Sequence, residues 1–499
     1  MGFSVERSAV RGSRRCGRPV YRQIAERIRA DIESGRLADG AQLPTIRALA
    51  HELGVNRDTV ALAYEELAAA GLVEATVGRG SFVRARGGVA PALRWEAPLA
   101  PAVLQLLELE RARPRYGFAG DAVPLHSLLP DPALYPVEGF RRALARVMAD
   151  QGADLLRYGV PQGHPGLREE LAARLRAAGV EVEASELALT QGASEGIQLA
   201  LRLFSAPGDA VAVEEPTYHH VLTALTALGL HPVPIPLGED GPDLSALEHA
   251  LSRPDVKLFY TMPTFHNPMG SSTSLTQRRA LLDLAARARK PVIEDAYEMD
   301  LRYAGKPVPS LAALDGAGGV SQLFSFSKSL FPGLRVGAIL ARGRALDGVI
   351  ALKQTTDLGG AFLLQAALAE FLRRGDYDRH LARVRRTLLA RRDALLEALA
   401  REMPQGTRWA TPEGGLQLWV ELPGGIDTAE LLPEAGRAGV LFAPGFQFRH
   451  DGRASSGMRL SIALADEAAI RRGVAALAKV VRERLARGGG SLREHSVNL

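Results

Sequence analysis

From about residue 116 the chain alternates short apolar runs with amphipathic helical stretches, and no other feature restricts the fold as much. "LALT" at 187–190, "AVAV" at 210–213, "LFYT" at 258–261, "PVIED" at 291–295 and "LFSFS" at 323–327 are strand-sized. Helical stretches such as "HPGLREELAARLRAAG" and "RRALLDLAARARK" lie between such runs. Strands alternating with helices predict a mostly parallel sheet covered on both faces.

The N-terminal residues follow another pattern. Ile24, Ile28 and Ile32 share one face of a predicted helix over 21–34, stopped by Gly35. A turn, "GRLADGAQLP", leads to a second helix from about Thr45 to Leu53, with apolar Ile46, Leu49, Ala50 and Leu53. Gly54 permits a sharp turn, and Asn56 caps a third helix whose inner face is Val60, Ala63, Tyr64 and Leu67. "LVEATVGRGSFV" then reads as a hairpin with Arg79 at its tip. Helix, glycine turn, helix and hairpin together predict a winged helix-turn-helix. Arg57 is placed to bond guanine O6 and N7, and Thr59 to reach phosphate or a thymine methyl. Arg47 opens the preceding helix, where a phosphate contact is natural, and Arg79 can enter the minor groove or touch the backbone. The formal net charge of the chain is +5, and +4 of it falls within residues 1–90, where double-stranded DNA would bind.

Other classes are disfavoured. No apolar run approaches the roughly 18 residues of a membrane span. "MGFSVERSAVRGSRRCGRPV" is basic but has no apolar h-region, so neither a secretory nor a twin-arginine signal is expected. Cys16 is the single cysteine, which excludes a disulfide framework and a cysteine-based zinc cluster; no metal is expected, and the cytoplasm is the expected location. The expected organisation is a basic tail over 1–20, the DNA-reading domain over 21–86 and a Gly/Pro-punctuated linker over 87–115 with a short helix near 101–113. An α/β domain over 116–486 and a disordered tail over 487–499 complete it.

"SFSKSLFPGLRVG" at 325–337 sets Lys328 seven positions before Arg335 among small residues. An aldehyde cofactor such as pyridoxal phosphate (PLP) needs a lysine amine for an imine, and a carboxylate against its ring nitrogen. Its phosphate needs hydroxyls, helix-start amides and an arginine. Each requirement has a candidate in chain order. "LTQGASEGI" offers Gly192, Ala193 and Ser194 at a strand-to-helix turn; "EEPTYHH" offers Tyr218 as a stacking ring. "FHNPMG" offers Asn267, "IEDAY" offers Asp295 and Tyr297, and Ser325, Ser327, Lys328 and Arg335 complete the set.

Residues 21–84 resemble the winged-helix domain of GntR-type bacterial regulators: Tyr21, "LPTIRALAHELGV", "RDTV", "AYEEL", "GL" and "GRGSFV" fall in that family's order. The resemblance carries over Arg47, Arg57, Thr59 and the wing glycines as DNA contacts. Residues 116–486 are similar to the fold-type I, aspartate-aminotransferase superfamily, which implies a PLP-binding transferase fold with a smaller α+β subdomain. "RYGVPQGHPGLREEL" resembles the segment that sends a tyrosine across a dimer interface, so Tyr158 is expected at the partner subunit's cofactor phosphate. "GMRLSIAL" resembles the strand whose arginine takes the substrate carboxylate, here Arg459. "GASEG" departs from the Ser-Gln-Gln-like run of many relatives, so the resemblance gives Glu195 no role.

The two halves together resemble the MocR family of bacterial regulators. That implies a cytoplasmic, nucleoid-associated homodimer, in some relatives swapped head to tail, that binds promoter DNA. It also implies an effector that is an amine, an amino acid or PLP itself. A working aminotransferase of the 2-aminoadipate or aromatic type stays open beside it, because the catalytic set is intact.

Overall fold

Three helices and a hairpin make the first of two bodies, which part between Leu99 and Ala100. A computed structural model describes residues 19–76, 80–84, 99–114, 116 and 122–488. The helices are α1 (Val20–Glu33), α2 (Ile46–Leu53) and α3 (Arg57–Ala69), and the hairpin pairs β1 (Val73–Thr76) with β2 (Gly80–Val83). Local chemistry sets the helix ends. Thr45 Oγ1 accepts the Ala48 N–H, the Asn56 side chain accepts the Asp58 N–H, and Gly54 ends α2 in left-handed backbone at φ +67°. Ile24, Ile28, Ile32, Leu49, Leu53, Val60, Ala63, Tyr64 and Leu67 form one core. Ile46 differs from the expectation: it opens α2 before the helix reaches that core and stays 37% exposed. The expected wing tip, Gly78 and Arg79, lies outside the described residues, as do residues 1–18 with Cys16, much of the linker, and 489–499.

The second body opens with α4 (Pro101–Ala112), α5 (Val137–Gln151) and α6 (Pro165–Ala177). Next come β3 (Leu187–Thr190), α7 (Ala193–Phe204), β4 (Ala210–Glu215), α8 (His219–Ala227), β5 (His231–Pro236) and α9 (Leu244–Ser252). β6 (Val256–Thr261), α10 (Leu275–Ala288), β7 (Val292–Asp295), β8 (Val320–Ser325), β9 (Gly337–Leu340) and α11 (Arg344–Gln354) follow. The strands form one seven-stranded sheet in the order β3-β9-β8-β7-β6-β4-β5, with β9 antiparallel to both neighbours and the other pairs parallel. Successive side chains go to opposite faces. Leu187 and Leu189 join the core with α6, α9 and α10, whereas Ala188, Val211, Val213 and Ile293 join the core with α7 and α8. This is the expected sheet with helices on both faces.

Strand β5 was not legible in sequence. β5, "HPVPIP", carries prolines at 232, 234 and 236, which reads as loop. It is tolerated because β5 is an edge strand with one neighbour, β4. A smaller antiparallel sheet packs among the C-terminal helices: β10 (Arg408–Trp409), β11 (Gln417–Glu421), β12 (Ala443–Pro444) and β13 (Gly457–Ser461), in the order β10-β11-β13-β12. Helix α4 lies within the segment read as linker, yet it packs on α8, with Arg113 Nη2 donating to Thr223 Oγ1 at 3.4 Å. It therefore belongs to the second body.

Left-handed backbone is unfavourable by about 1–2 kcal/mol for a residue with a Cβ. Gly54→Ala is therefore expected to loosen the first body. Amide exchange should quicken across the peptides of α1 to α3, while peptides of the seven-stranded sheet exchange as before.

Candidate functional site

The carboxyl ends of β3, β4, β6, β7 and β8 supply Gly192, Tyr218, Asn267, Asp295 and the 325–328 turn to one region, the side of an open α/β sheet where ligands bind. Asp295 ends β7 and is 1% exposed. The Tyr260 hydroxyl donates to its Oδ2 at 2.7 Å, and Oδ1 has no hydrogen-bond partner. Burial pushes the carboxyl up to about 6, against the pull of the Tyr260 bond. A buried acceptor left unmet is unfavourable by about 1–3 kcal/mol, so this oxygen is built for a donor that the chain does not supply.

Around it the aromatic groups are ordered. Tyr218 and Tyr297 lie parallel within 3°, with ring centroids 6.4 Å apart. Gln417 Nε2 donates to the Tyr297 hydroxyl at 2.9 Å. Arg459, buried on β13, donates from Nη1 to Asn267 Oδ1 at 2.9 Å and from Nη2 to the His126 carbonyl at 2.9 Å. Its Nε has no partner, and its guanidinium stands 5.0 Å from the Phe448 ring centroid. His126 stacks on Tyr116 at 3.9 Å, and burial, with Arg459 nearby, pushes its imidazole down to about 4, so it is neutral. Lys328 Nζ donates to the Leu128 carbonyl at 3.0 Å. Burial pushes its ammonium down, Glu298 opposes that, and Arg459 and Arg335 add to it.

A corner for an anion lies at the start of α7. Gly192 holds the cap position at φ +85°, and a Cβ there would stand 3.0 Å from Arg335 Nη2, so only glycine fits. Arg335, itself left-handed at φ +51°, donates from Nη2 to the Gln191 carbonyl at 2.7 Å. Ser325 is buried, and its Oγ accepts the Ser327 N–H at 3.2 Å; Ser194, one residue into the helix after Ala193, is exposed. Helix-start amides with a guanidinium alongside make a phosphate site.

Several residues that build the region were not singled out from sequence. Glu195 Oε2 accepts the Gln191 N–H at 2.6 Å and stands 3.8 Å from Lys353 Nζ, which bonds Asp357 at 2.7 Å. The "GASEG" departure thus has a function in the fold: it braces the glycine turn. Lys353 and Asp357, four apart on a helical stretch, were a visible sign of that pair. Tyr260 and Gln417 gave no sign, because they meet Asp295 and Tyr297 only in space.

The remaining expected residues lie apart. Arg47 and Arg57 are exposed on the first body and Thr59 is half-buried. Tyr158 is 89% exposed and makes no hydrogen bond among the described residues. A cavity of about 360 Å³ lies between α4 (Gln105, Leu109), α8 (Leu222, Thr226) and the 446–452 turn. Among the described residues no helix is long and apolar enough to cross a membrane.

The donors and acceptors present suit PLP: an unmet buried carboxylate oxygen, a half-buried lysine and an anion corner. Residues 129–477 match the model of aminotransferase class I and II, and residues 20–83 that of the bacterial regulatory proteins of the gntR family. The 2-aminoadipate transaminase of Thermus thermophilus is 35% identical over 78% of this chain and 95% of its own. The crystal structure of LysN, an alpha-aminoadipate aminotransferase from the same organism complexed with a phosphopyridoxyl-leucine, superposes with TM-score 0.73 at 32% identity, covering 79% of this chain and 100% of that one. A probable rhizopine catabolism regulatory protein, MocR, of Rhizobium meliloti is 30% identical over 85% of this chain and 86% of its own. With both matches in one polypeptide, the chain belongs to the MocR family of PLP-dependent transcription regulators, a GntR-type winged helix ahead of a fold-type I aminotransferase domain.

Proposed function

We propose that this regulator holds PLP on Lys328 and senses an amine, an amino acid or PLP itself, and that occupancy changes how its winged-helix heads engage promoter DNA. One observation carries the reading. The same chain joins exposed Arg47 and Arg57 at a helix-turn-helix to a half-buried lysine and a carboxylate oxygen, Asp295 Oδ1, with no partner of its own. Bound there, PLP supplies an aldehyde that condenses with primary amines and a ring that withdraws electrons when its nitrogen is protonated.

The chain's own groups have separate tasks in this reading. Asp295 holds the proton on the ring nitrogen. Asn267 and Tyr297 bind the phenolic oxygen, and Tyr218 covers the ring. Ser325, Ser327, Arg335 and the amides of Gly192, Ala193 and Ser194 bind the phosphate, with Tyr158 of a second copy reaching the same group. Lys328 provides the amine. Arg459 binds the effector's carboxylate. In the first body Arg57 reads a base, while Arg47, Thr59 and the wing Arg79 hold the backbone. The protein acts as a cytoplasmic homodimer, since two heads meet two half-sites. An effector shifts the heads only by the difference in its affinity for their arrangements.

A second reading, a working aminotransferase, draws on the 35% identity to a named transaminase. Keto acid formed in many-fold excess over protein would favour it; none, or one equivalent, favours the sensor.

Titrating the PLP-loaded protein with amines and amino acids at fixed salt should change both its visible spectrum and its promoter affinity. Unchanged affinity and footprint across the titration would sink the sensing role. Lys328→Ala should fold yet give no borohydride-fixed adduct; an adduct at another lysine would refute the assignment. Arg57→Ala should lose about 1–3 kcal/mol at one base position per half-site, read by binding to single-base operator variants. Asp295 is anionic only above about 6, so uptake of PLP by the cofactor-free protein should weaken as the pH falls through that value. Asp295→Asn should bind weakly throughout and lack that step.

A further inference from the structure

Glu195 braces the glycine turn before α7, and what stands behind Glu195 reaches further than that turn. Lys353, 0% exposed near the end of α11, is a buried cation to which the proposed cofactor contacts give no task. Its Nζ lies 3.8 Å from Glu195 Oε2 and 2.7 Å from Asp357 Oδ2. Glu195 Oε2 also accepts the Gln191 N–H at 2.6 Å, and the Gln191 carbonyl accepts from Arg335 Nη2 at 2.7 Å. One side of Lys353 therefore faces the turn that carries Gly192 and the arginine of the anion corner.

The other side faces the segment of Tyr158. Asp357 Oδ1 accepts the Gly359 N–H at 3.1 Å. Gly359 has φ +113°, and a Cβ there would stand 2.6 Å from the Val160 carbonyl oxygen, so its backbone lies directly against residues 159–160. Gln365, 3% exposed on α12 (Phe362–Arg373), completes the tie. Its Nε2 donates to the Gly359 carbonyl at 3.0 Å, and its Oε1 accepts the His164 N–H at 2.8 Å. Farther along the segment, the Gln162 carbonyl accepts the Leu189 N–H of β3 at 2.9 Å. Tyr158 projects from the end that Gly359 backs, and its own side chain makes no hydrogen bond among the described residues, so the backbone at 159–160 sets where it points.

We propose that Lys353 is a positioning residue for two phosphate contacts at once. Through Glu195 it sets the glycine turn of its own subunit; through Asp357 and Gly359 it sets the segment that presents Tyr158 to a second copy. One buried ammonium between two carboxylates on different loops holds both, because moving either away strands a charge in the interior. The proposal rests on reading the 192–194 turn and Arg335 as the phosphate site and Tyr158 as its contact from the second copy.

Pyridoxal, which lacks the phosphate, separates this role from a general brace. Lys353→Met keeps the apolar stem and removes the charge. In the cofactor-free, full-length protein it should weaken PLP uptake by about ten- to hundred-fold and change pyridoxal uptake by less than about twofold, both read by imine absorbance. Equal losses for the two ligands, the effect of a loosened fold, would overturn the proposal, and so would no loss for either. If Lys353→Met does not fold, Glu195→Gln decides in its place. That variant keeps an acceptor for the Gln191 N–H, loses the charge that faces Lys353, and should lower the preference for PLP over pyridoxal in the same sense; an unchanged preference would overturn the proposal. The link to Tyr158 has its own test. Asp357→Asn should lower the preference by itself and add little to Tyr158→Phe, because the two remove the same contact. Losses that add in full would overturn that link. A wild-type protein that takes up pyridoxal as tightly as PLP would end the reading of the phosphate corner, and the proposal with it.

Discussion

Asp295 sits at the end of a central strand with one carboxylate oxygen bonded to Tyr260 and the other to nothing. An anion buried on those terms is unfavourable unless a cation or donor arrives, and the surroundings are arranged for that arrival. β7 lies in the middle of the seven-stranded sheet, with three strands on each side. Its end cannot move without moving the sheet. The groups supplied by the neighbouring strand ends, Gly192, Tyr218, Asn267 and the 325–328 turn, are therefore fixed relative to Asp295 by the same ladder of backbone bonds. The precision of the site is a property of the sheet, and its chemistry is a property of the short segments that leave it.

Those segments are held by buried polar contacts. Arg278, fully buried in α10, bonds the carbonyls of Pro263 and Thr273 and the Thr264 hydroxyl, and so shapes the loop that carries Asn267. Glu214 accepts from Thr261 Oγ1 at 2.7 Å and the Met262 N–H at 2.9 Å, fixing the start of that loop. Glu195, with Lys353 and Asp357 behind it, fixes the glycine turn before α7. Removing one member of such a network strands its partner in a low-dielectric interior, which is more damaging than losing a surface pair.

The residues to which the proposed function gives direct chemistry could be picked out because each combines a distinctive type with a local setting: a lysine after serines, an acid at a strand end, a glycine before a helix. The helix-turn-helix was legible for the same reason, since caps and periodicity are local. The supporting residues were not. Tyr260 reads as one more apolar strand residue and Gln417 as a strand polar group. β5 was hidden by its prolines. Helix α4 was read as part of a linker because Gly and Pro punctuate the segment before it, and its packing on α8 is a contact between residues far apart in the chain.

The sequence by itself determined the two architectures, the cofactor chemistry and the side chains that can serve it, because strand period, helix caps and residue type act over a few neighbouring positions. Only the tertiary structure decided which acceptors are left unmet and which arginine faces which loop. Those depend on burial and on distances between residues far apart in the chain, and no local pattern records them.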